Sequence, residues 1–180
     1  MEMDYRIEEI LYSETELQDK IKELGQWVDD NYPSNDKLIL VGILKGCIPF
    51  IAHLIVNIKR DLIVDFMTLS SYEGGSKSNS NVKVIMDLAH DIKGKDVLII
   101  EDCVDTGYTM AKIVSLLNNR NPKSLKVLTL LDKKGGRKIP FTVDKFGFDC
   151  PQKFVVGYGF DWNDEMRNIP YIGVLKKELI

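Results

Sequence analysis

The residues best suited to chemistry lie between Asp96 and Thr109, in the run D-V-L-I-I-E-D-C-V-D-T-G-Y-T. Four apolar β-formers, Val97 to Ile100, precede two adjacent carboxylates, Glu101 and Asp102, which stand where a strand should end. A third acid, Asp105, opens a short turn through Thr106, Gly107, Tyr108 and Thr109, and Met110 to Leu117 carry a helical pattern. Strand, tight turn and helix N-terminus together make an anion site. Free amide N–H groups point outward there, and the helix dipole adds positive potential. Gly107 lets the backbone approach a ligand, and Thr106 and Thr109 add hydroxyl donors. Acids beside such a site repel its ligand unless they bind a cation or accept hydrogen bonds from sugar hydroxyls. A phosphorylated ribose with Mg²⁺ meets both demands. Solvated acids ahead of a capped helix are the plain alternative; the combination of apolar run, acid pair, third acid and T-G-x-T turn argues against it.

These residues need a frame to hold them. Val97 to Ile100 read as a strand buried on both faces, in the middle of a parallel sheet. Ser13-Glu14-Thr15-Glu16 is a capping-box pattern, and Leu17, Ile21, Leu24 and Val28 follow at helical spacing, predicting a helix over 14–31 stopped by Pro33. Residues 37–43 predict a second buried strand, ending in Leu44-Lys45-Gly46, and 47–58 an apolar helix with Pro49 in its first turn. The strand–loop–helix theme thus recurs and sets two anion-friendly loops at the carboxyl ends of neighbouring strands. Strands are further expected over 61–69, 82–86 and 124–131, with Tyr171 to Leu175 closing the sheet. Between the third and fourth, residues 70–81 are rich in Ser, Gly and Asn and too polar to order themselves. They are either a floppy hairpin tip or a lid with glycine hinges that closes over a reactive intermediate and excludes water.

With 180 residues, 44% hydrophobic and 28% charged, the chain is expected to form one soluble domain, 1–180. A net charge of −3 gives no basic footprint for nucleic acid. No apolar run approaches the ~20 residues of a membrane span, and the acidic start lacks a signal peptide's shape. Three widely spaced cysteines argue against a disulfide framework and for the cytoplasm. Two scattered histidines, His53 and His90, are too few for a His-based metal site and are expected to be structural.

The segment I-I-E-D-C-V-D-T-G-Y-T resembles the phosphoribosyl pyrophosphate (PRPP) loop of type I phosphoribosyltransferases, and is most similar to that of the hypoxanthine-guanine phosphoribosyltransferases. The resemblance implies an α/β fold, a mainly parallel sheet flanked by helices, with a small C-terminal hood at about 150–180. It implies transfer of phosphoribosyl from PRPP to a 6-oxopurine, with Mg²⁺ as cofactor, in a homodimer or homotetramer. The L-K-G loop makes Lys45 and Gly46 pyrophosphate ligands in that family, and Ser71-Tyr72 match the Ser-Tyr pair of its mobile loop. By the same likeness Lys133 contacts the exocyclic oxygen at C6 of the base, with Lys134 as the competing candidate. The run F-V-V-G-Y-x-x-D-x-N-x-x-x-R resembles the family's purine hood. Phe154 then stacks on the base, Val155 reads it through its main chain, and Arg167 takes pyrophosphate. Asp161 lies near base and metal, joining Glu101 and Asp102 as candidate metal ligands. Asp105, Thr106, Gly107, Tyr108 and Thr109 hold the 5′-phosphate. Gly135-Gly136-Arg137-Lys138 departs from the family's pattern, and Trp162 stands where Tyr is commoner.

Chemistry assigns Asp105 a second role. A purine attacking through N9 becomes cationic unless a proton leaves N7, and a carboxylate at the mouth of the phosphate loop is placed to take it. Two rivals differ in class. One is a phosphoribosyltransferase for xanthine, adenine or a pyrimidine, of which an adenine enzyme would not set a cationic lysine against an exocyclic amine. A PRPP-sensing regulator should carry a nucleic-acid-binding segment or basic face, and neither is visible.

Overall fold

The computed structural model describes residues 3–32, 37–71 and 82–180, with the side chains of Ser70, Ser71 and Val82 also left aside. Among the described residues nine strands and three α-helices follow one another as β1 (Ile7–Tyr12), α1 (Glu14–Asn31), β2 (Leu38–Leu44), α2 (Ile48–Ile55), β3 (Leu62–Ser71), β4 (Val82–Met86), β5 (Asp96–Val104), α3 (Tyr108–Asn118), β6 (Ser124–Asp132), β7 (Lys145–Asp149), β8 (Val155–Val156) and β9 (Ile172–Leu175). Six strands form the main sheet in the order β4-β3-β2-β5-β6-β7. All its neighbours pair in parallel except β4, which returns antiparallel to β3.

The two central strands bury side chains on both faces, and the alternation sorts them. Leu38, Leu40, Leu98 and Ile100 face the layer of α1 and α2. Ile39, Val41, Val97 and Ile99 face α3. Helix α1 is fixed at its start by the expected capping box: the Ser13 amide donates to Glu16 Oε2 at 2.8 Å and the Glu16 amide to Ser13 Oγ at 3.3 Å. Its stripe of Leu17, Ile21, Leu24 and Val28 is fully buried. Each such side chain contributes about 1.5–3 kcal/mol of burial, and truncating Leu24 to Ala costs about 2–5 kcal/mol.

The helices after β2 and β5 lie on opposite faces of the sheet, so the carboxyl ends of these adjacent strands open a crevice at a topological switch point. The loop after β2 meets β5 in that crevice, with Gly46 against Asp102.

Several expectations need correction. Residues 171–175 do not close the main sheet: β9 is the middle strand of a separate antiparallel sheet, β1-β9-β8. The N-terminal strand thus joins the C-terminal segment in the hood, a contribution the sequence left open. Edge strand β7 had not been anticipated, and α2 stops at Ile55, three residues short of the expected end. Each histidine ties segments together: His53 Nδ1 lies 2.6 Å from Tyr158 Oη, and His90 Nδ1 lies 2.9 Å from the buried Asp65. The three cysteines are free thiols.

Candidate active site

Strand β5 runs past Glu101 and Asp102 to Val104, so the acid pair sits inside the strand rather than at its end. The turn is Asp105 to Gly107. Gly107, at φ 89°, caps α3 in the left-handed region that glycine tolerates, and the helix begins at Tyr108, earlier than expected. Among the described residues the amides of Thr106 and Gly107 have no backbone acceptor. Glu101, Asp105, Thr106, Gly107 and Thr109 line a cavity of about 130 Å³ over this turn. Tyr108 is exposed on the first helical turn.

A second cleft of about 260 Å³ is lined by Asp102, Asp105, Lys133, Phe154, Val155 and Asp161, together with Cys103 and Phe160. Cys103 and Asp105 belong to both walls, so the two spaces adjoin. Phe154 keeps 42% of its surface exposed, presenting an open ring at the rim. Lys133 Nζ reaches the hood and donates to the Lys153 carbonyl at 2.9 Å. Lys134 turns away: it pairs with Asp149 at 2.6 Å and lies 4.1 Å above the Phe146 ring. Of the two lysines, Lys133 is the one that lines the cleft.

Glu101 and Asp102 point to opposite sides of their strand, one into each space. Burial pushes the Glu101 carboxyl well above its usual range, and the neighbouring Asp102 charge adds to this. Burial also raises Asp102, to about 6, against the opposing hydrogen bond from the Cys103 amide at 2.8 Å. Glu101 Oε2 is buried with no hydrogen-bond partner among the described residues. A buried carboxylate left unpaired is costly, and a cation or a sugar hydroxyl supplies what is missing. Hard carboxylate oxygens of this kind fit Mg²⁺, which retains ligands from water and substrate. Among the described residues no three His, Cys, Asp or Glu side chains converge into a metal centre. Asp161, the third expected ligand, is engaged by Arg167 at 2.8 Å and accepts from the Asp164 amide at 2.9 Å.

The loop at the end of β2 completes the crevice. Its Leu44–Lys45 peptide is cis. A methyl group on Gly46 would lie 1.6 Å from Asp102 Oδ2, and one on Gly159 would lie 2.0 Å from the Gly46 carbonyl oxygen. Backbone therefore passes between the acid and the hood with no room for a side chain. Lys45 Nζ lies 3.2 Å and Arg167 Nη2 3.0 Å from the same oxygen of Asp164. Two cations from distant parts of the chain converge on one anionic position, as a shared polyanion requires. Sequence reasoning had not singled out Asp164, Cys103 or Phe160. Cys103 lies within the singled-out motif and Asp164 within the hood motif, at positions whose types carry no signal of their own. Ser71 ends β3, paired with Val82, while Tyr72 and the rest of the expected lid lie outside the described residues.

The family model of the phosphoribosyl transferase domain matches residues 9–163. A hypoxanthine-guanine phosphoribosyltransferase of Lactococcus lactis is 46% identical over 98% of this chain and 96% of its own length. A bifunctional TilS/HprT protein of Listeria innocua is 47% identical over 96% of this chain, which spans only 26% of that longer relative. Among solved structures, a hypoxanthine phosphoribosyltransferase of Trypanosoma cruzi in complex with the product IMP superposes with a TM-score of 0.94 at 34% identity, covering 100% of both chains. A domain match over residues 9–163, 46% identity to a relative over nearly the whole chain and a shared fold agree: the chain belongs to the phosphoribosyl transferase family.

Proposed function

We propose that this protein serves purine salvage, transferring the 5-phosphoribosyl group of PRPP to N9 of hypoxanthine or guanine and releasing pyrophosphate. The observation that carries the reading is the shared wall. Asp105 borders both the phosphate cavity and the cleft of Lys133 and Phe154. A ribose spanning the two spaces would bring its C1′ beside that carboxylate.

The amides of the 105–109 turn hold the 5′-phosphate, aided by the dipole of α3. Glu101 and Asp102 accept from the ribose hydroxyls and would hold Mg²⁺, whose charge when bound offsets that of the departing pyrophosphate. Lys45 and Arg167 take the pyrophosphate oxygens in place of Asp164. Phe154 stacks on the purine, the Val155 main chain reads its edge, and the Lys133 ammonium donates to the oxygen at C6. As the C1′–O bond to pyrophosphate breaks and the N9–C1′ bond forms, Asp105 removes the N7 proton. Holding base and ribose in adjoining clefts turns an encounter into a positioned displacement.

The reading extends to a single domain over 1–180, a homodimer or homotetramer in the cytoplasm, and a lid at 70–81. No described helix is long and apolar enough to cross a membrane. Purified protein should be incubated with PRPP, Mg²⁺ and each purine base in turn. IMP or GMP with equimolar pyrophosphate, abolished by excess chelator, is the expected outcome; no nucleotide from either oxopurine overturns the reading.

A further inference from the structure

We propose that Arg137 is a positioning residue for the 5′-phosphate, holding the peptide planes of the phosphate loop so that their N–H groups face the ligand. The proposal rests on the nucleotide reading of that loop. Every peptide dipole that offers an N–H to an anion carries a carbonyl oxygen that repels it. Because the peptide unit is planar and trans, fixing the oxygen on one side fixes the N–H on the other.

The three peptides entering the turn have their oxygens fixed by one segment. The Lys133 amide donates to the Val104 carbonyl and the Lys138 amide to the Thr106 carbonyl, each at 3.0 Å. Between them Arg137 Nη1 donates to both the Val104 and the Asp105 carbonyls. Holding the Asp105 oxygen orients the Thr106 N–H; holding the Thr106 oxygen orients the Gly107 N–H. Both amides are the ones left without a backbone acceptor among the described residues.

The guanidinium is itself immobilised. Its Nη2 pairs with Asp132, whose side chain is only 4% exposed, and its Nε donates to the Phe141 carbonyl at 3.2 Å. A planar fork with several donors can serve two carbonyls and a carboxylate together, which a lysine ammonium at the end of a flexible stem cannot do with the same geometry. The two glycines before it make the approach feasible. A methyl on Gly136 would lie 1.8 Å from Asp105 Oδ1, so the 3₁₀ turn of Lys134–Gly136 can close on the loop only without a side chain there. The unexpected G-G-R-K stretch thus forms the back wall of the phosphate loop.

A residue that merely stabilises the fold and one that aims the loop separate in the preference for a phosphorylated ligand. Binding of IMP and of inosine is measured by calorimetry for the wild type, Arg137→Lys and Arg137→Gln, with Tm recorded for each. The expected result is a strong wild-type preference for IMP that falls about ten-fold or more in Arg137→Gln and is only partly restored in Arg137→Lys, with inosine affinity nearly unchanged. Arg137→Lys keeps a cation beside Asp132, which preserves the test should the Gln variant fail to fold. A lowered Tm with the IMP preference intact overturns the proposal, as does failure of both variants to fold, since Arg137 then serves stability alone. A wild type that binds inosine as tightly as IMP would instead show that the turn is not a phosphate site, and so overturn the underlying reading.

Discussion

Replacing Gly46 by Ala should disable the crevice with little change elsewhere. The added methyl would lie 1.6 Å from Asp102 Oδ2 and 2.6 Å from its Cγ. Non-bonded carbon contacts are comfortable only near about 3.5 Å, so the loop and the acid must part by well over about 1 Å. Neither side yields easily. Asp102 Oδ1 is held by the Cys103 amide at 2.8 Å, and the Gly46 carbonyl lies against Gly159, where a methyl would come within 2.0 Å. A misplacement of about 1 Å in a positioned site can cost about 10²-fold, or about 2.7 kcal/mol of transition-state stabilisation. Overpacking should lower stability by about 1–3 kcal/mol as well, some 2–4 °C of Tm for each kcal/mol in a chain of this size. The assay is kcat/KM for PRPP with saturating base, with Tm followed in parallel. Gly135→Ala is the control, because its methyl would meet Gln152 at an ordinary 3.4 Å. A Gly46→Ala enzyme within three-fold of wild type, about 0.7 kcal/mol, would refute the claim that the acid and the pyrophosphate loop are held in mutual register.

Three further outcomes follow from the same geometry. Lys133→Ala should erase a preference for hypoxanthine over adenine that is expected near 10⁴ in kcat/KM, whereas Lys134→Ala, held by Asp149, should leave it; equal effects would remove the assignment. Asp164→Ala removes the carboxylate shared by Lys45 and Arg167 and should tighten pyrophosphate binding about two- to five-fold, read by calorimetry; weaker binding would mean that Asp164 instead orients the two cations. Chelator should abolish turnover in the wild type, and full activity in its presence would leave the buried Glu101 oxygen without the partner assigned to it.

What could be read in the sequence is what is local. The β5 strand, the T-G-x-T turn and α3 are contiguous, so types and spacing alone announce the strand, the turn and the helix that follows. The capping box lies within four residues, and the helix over 14–31 appears as expected. What could not be read depends on long-range partners. Ile7–Tyr12 carries glutamates and only one fully buried residue, and it becomes a strand through pairing with Ile172–Leu175 at the other end of the chain. The apolar run ending at Leu175 announces a strand, but nothing local says to which sheet it belongs. Adjacent lysines 133 and 134 are alike in sequence; they are separated by Asp149 and Phe146 on β7, a strand hidden by its glycine and polar ends. Arg137 is the sharpest case, because its acceptors are carbonyls of the Val104–Asp105 stretch, which no side-chain pattern reveals.

In the proposed reaction one carboxylate, Asp105, borders both cavities and takes the proton released as the new bond forms. Asp105→Asn keeps the size and much of the hydrogen bonding but cannot accept that proton. Single-turnover rates and PRPP affinity measured on this variant test the claim most directly. The rate of bond formation should fall by about 10²–10⁴, with PRPP affinity nearly unchanged because backbone amides carry the phosphate. A near-normal rate would contradict it and reduce Asp105 to a loop-shaping residue.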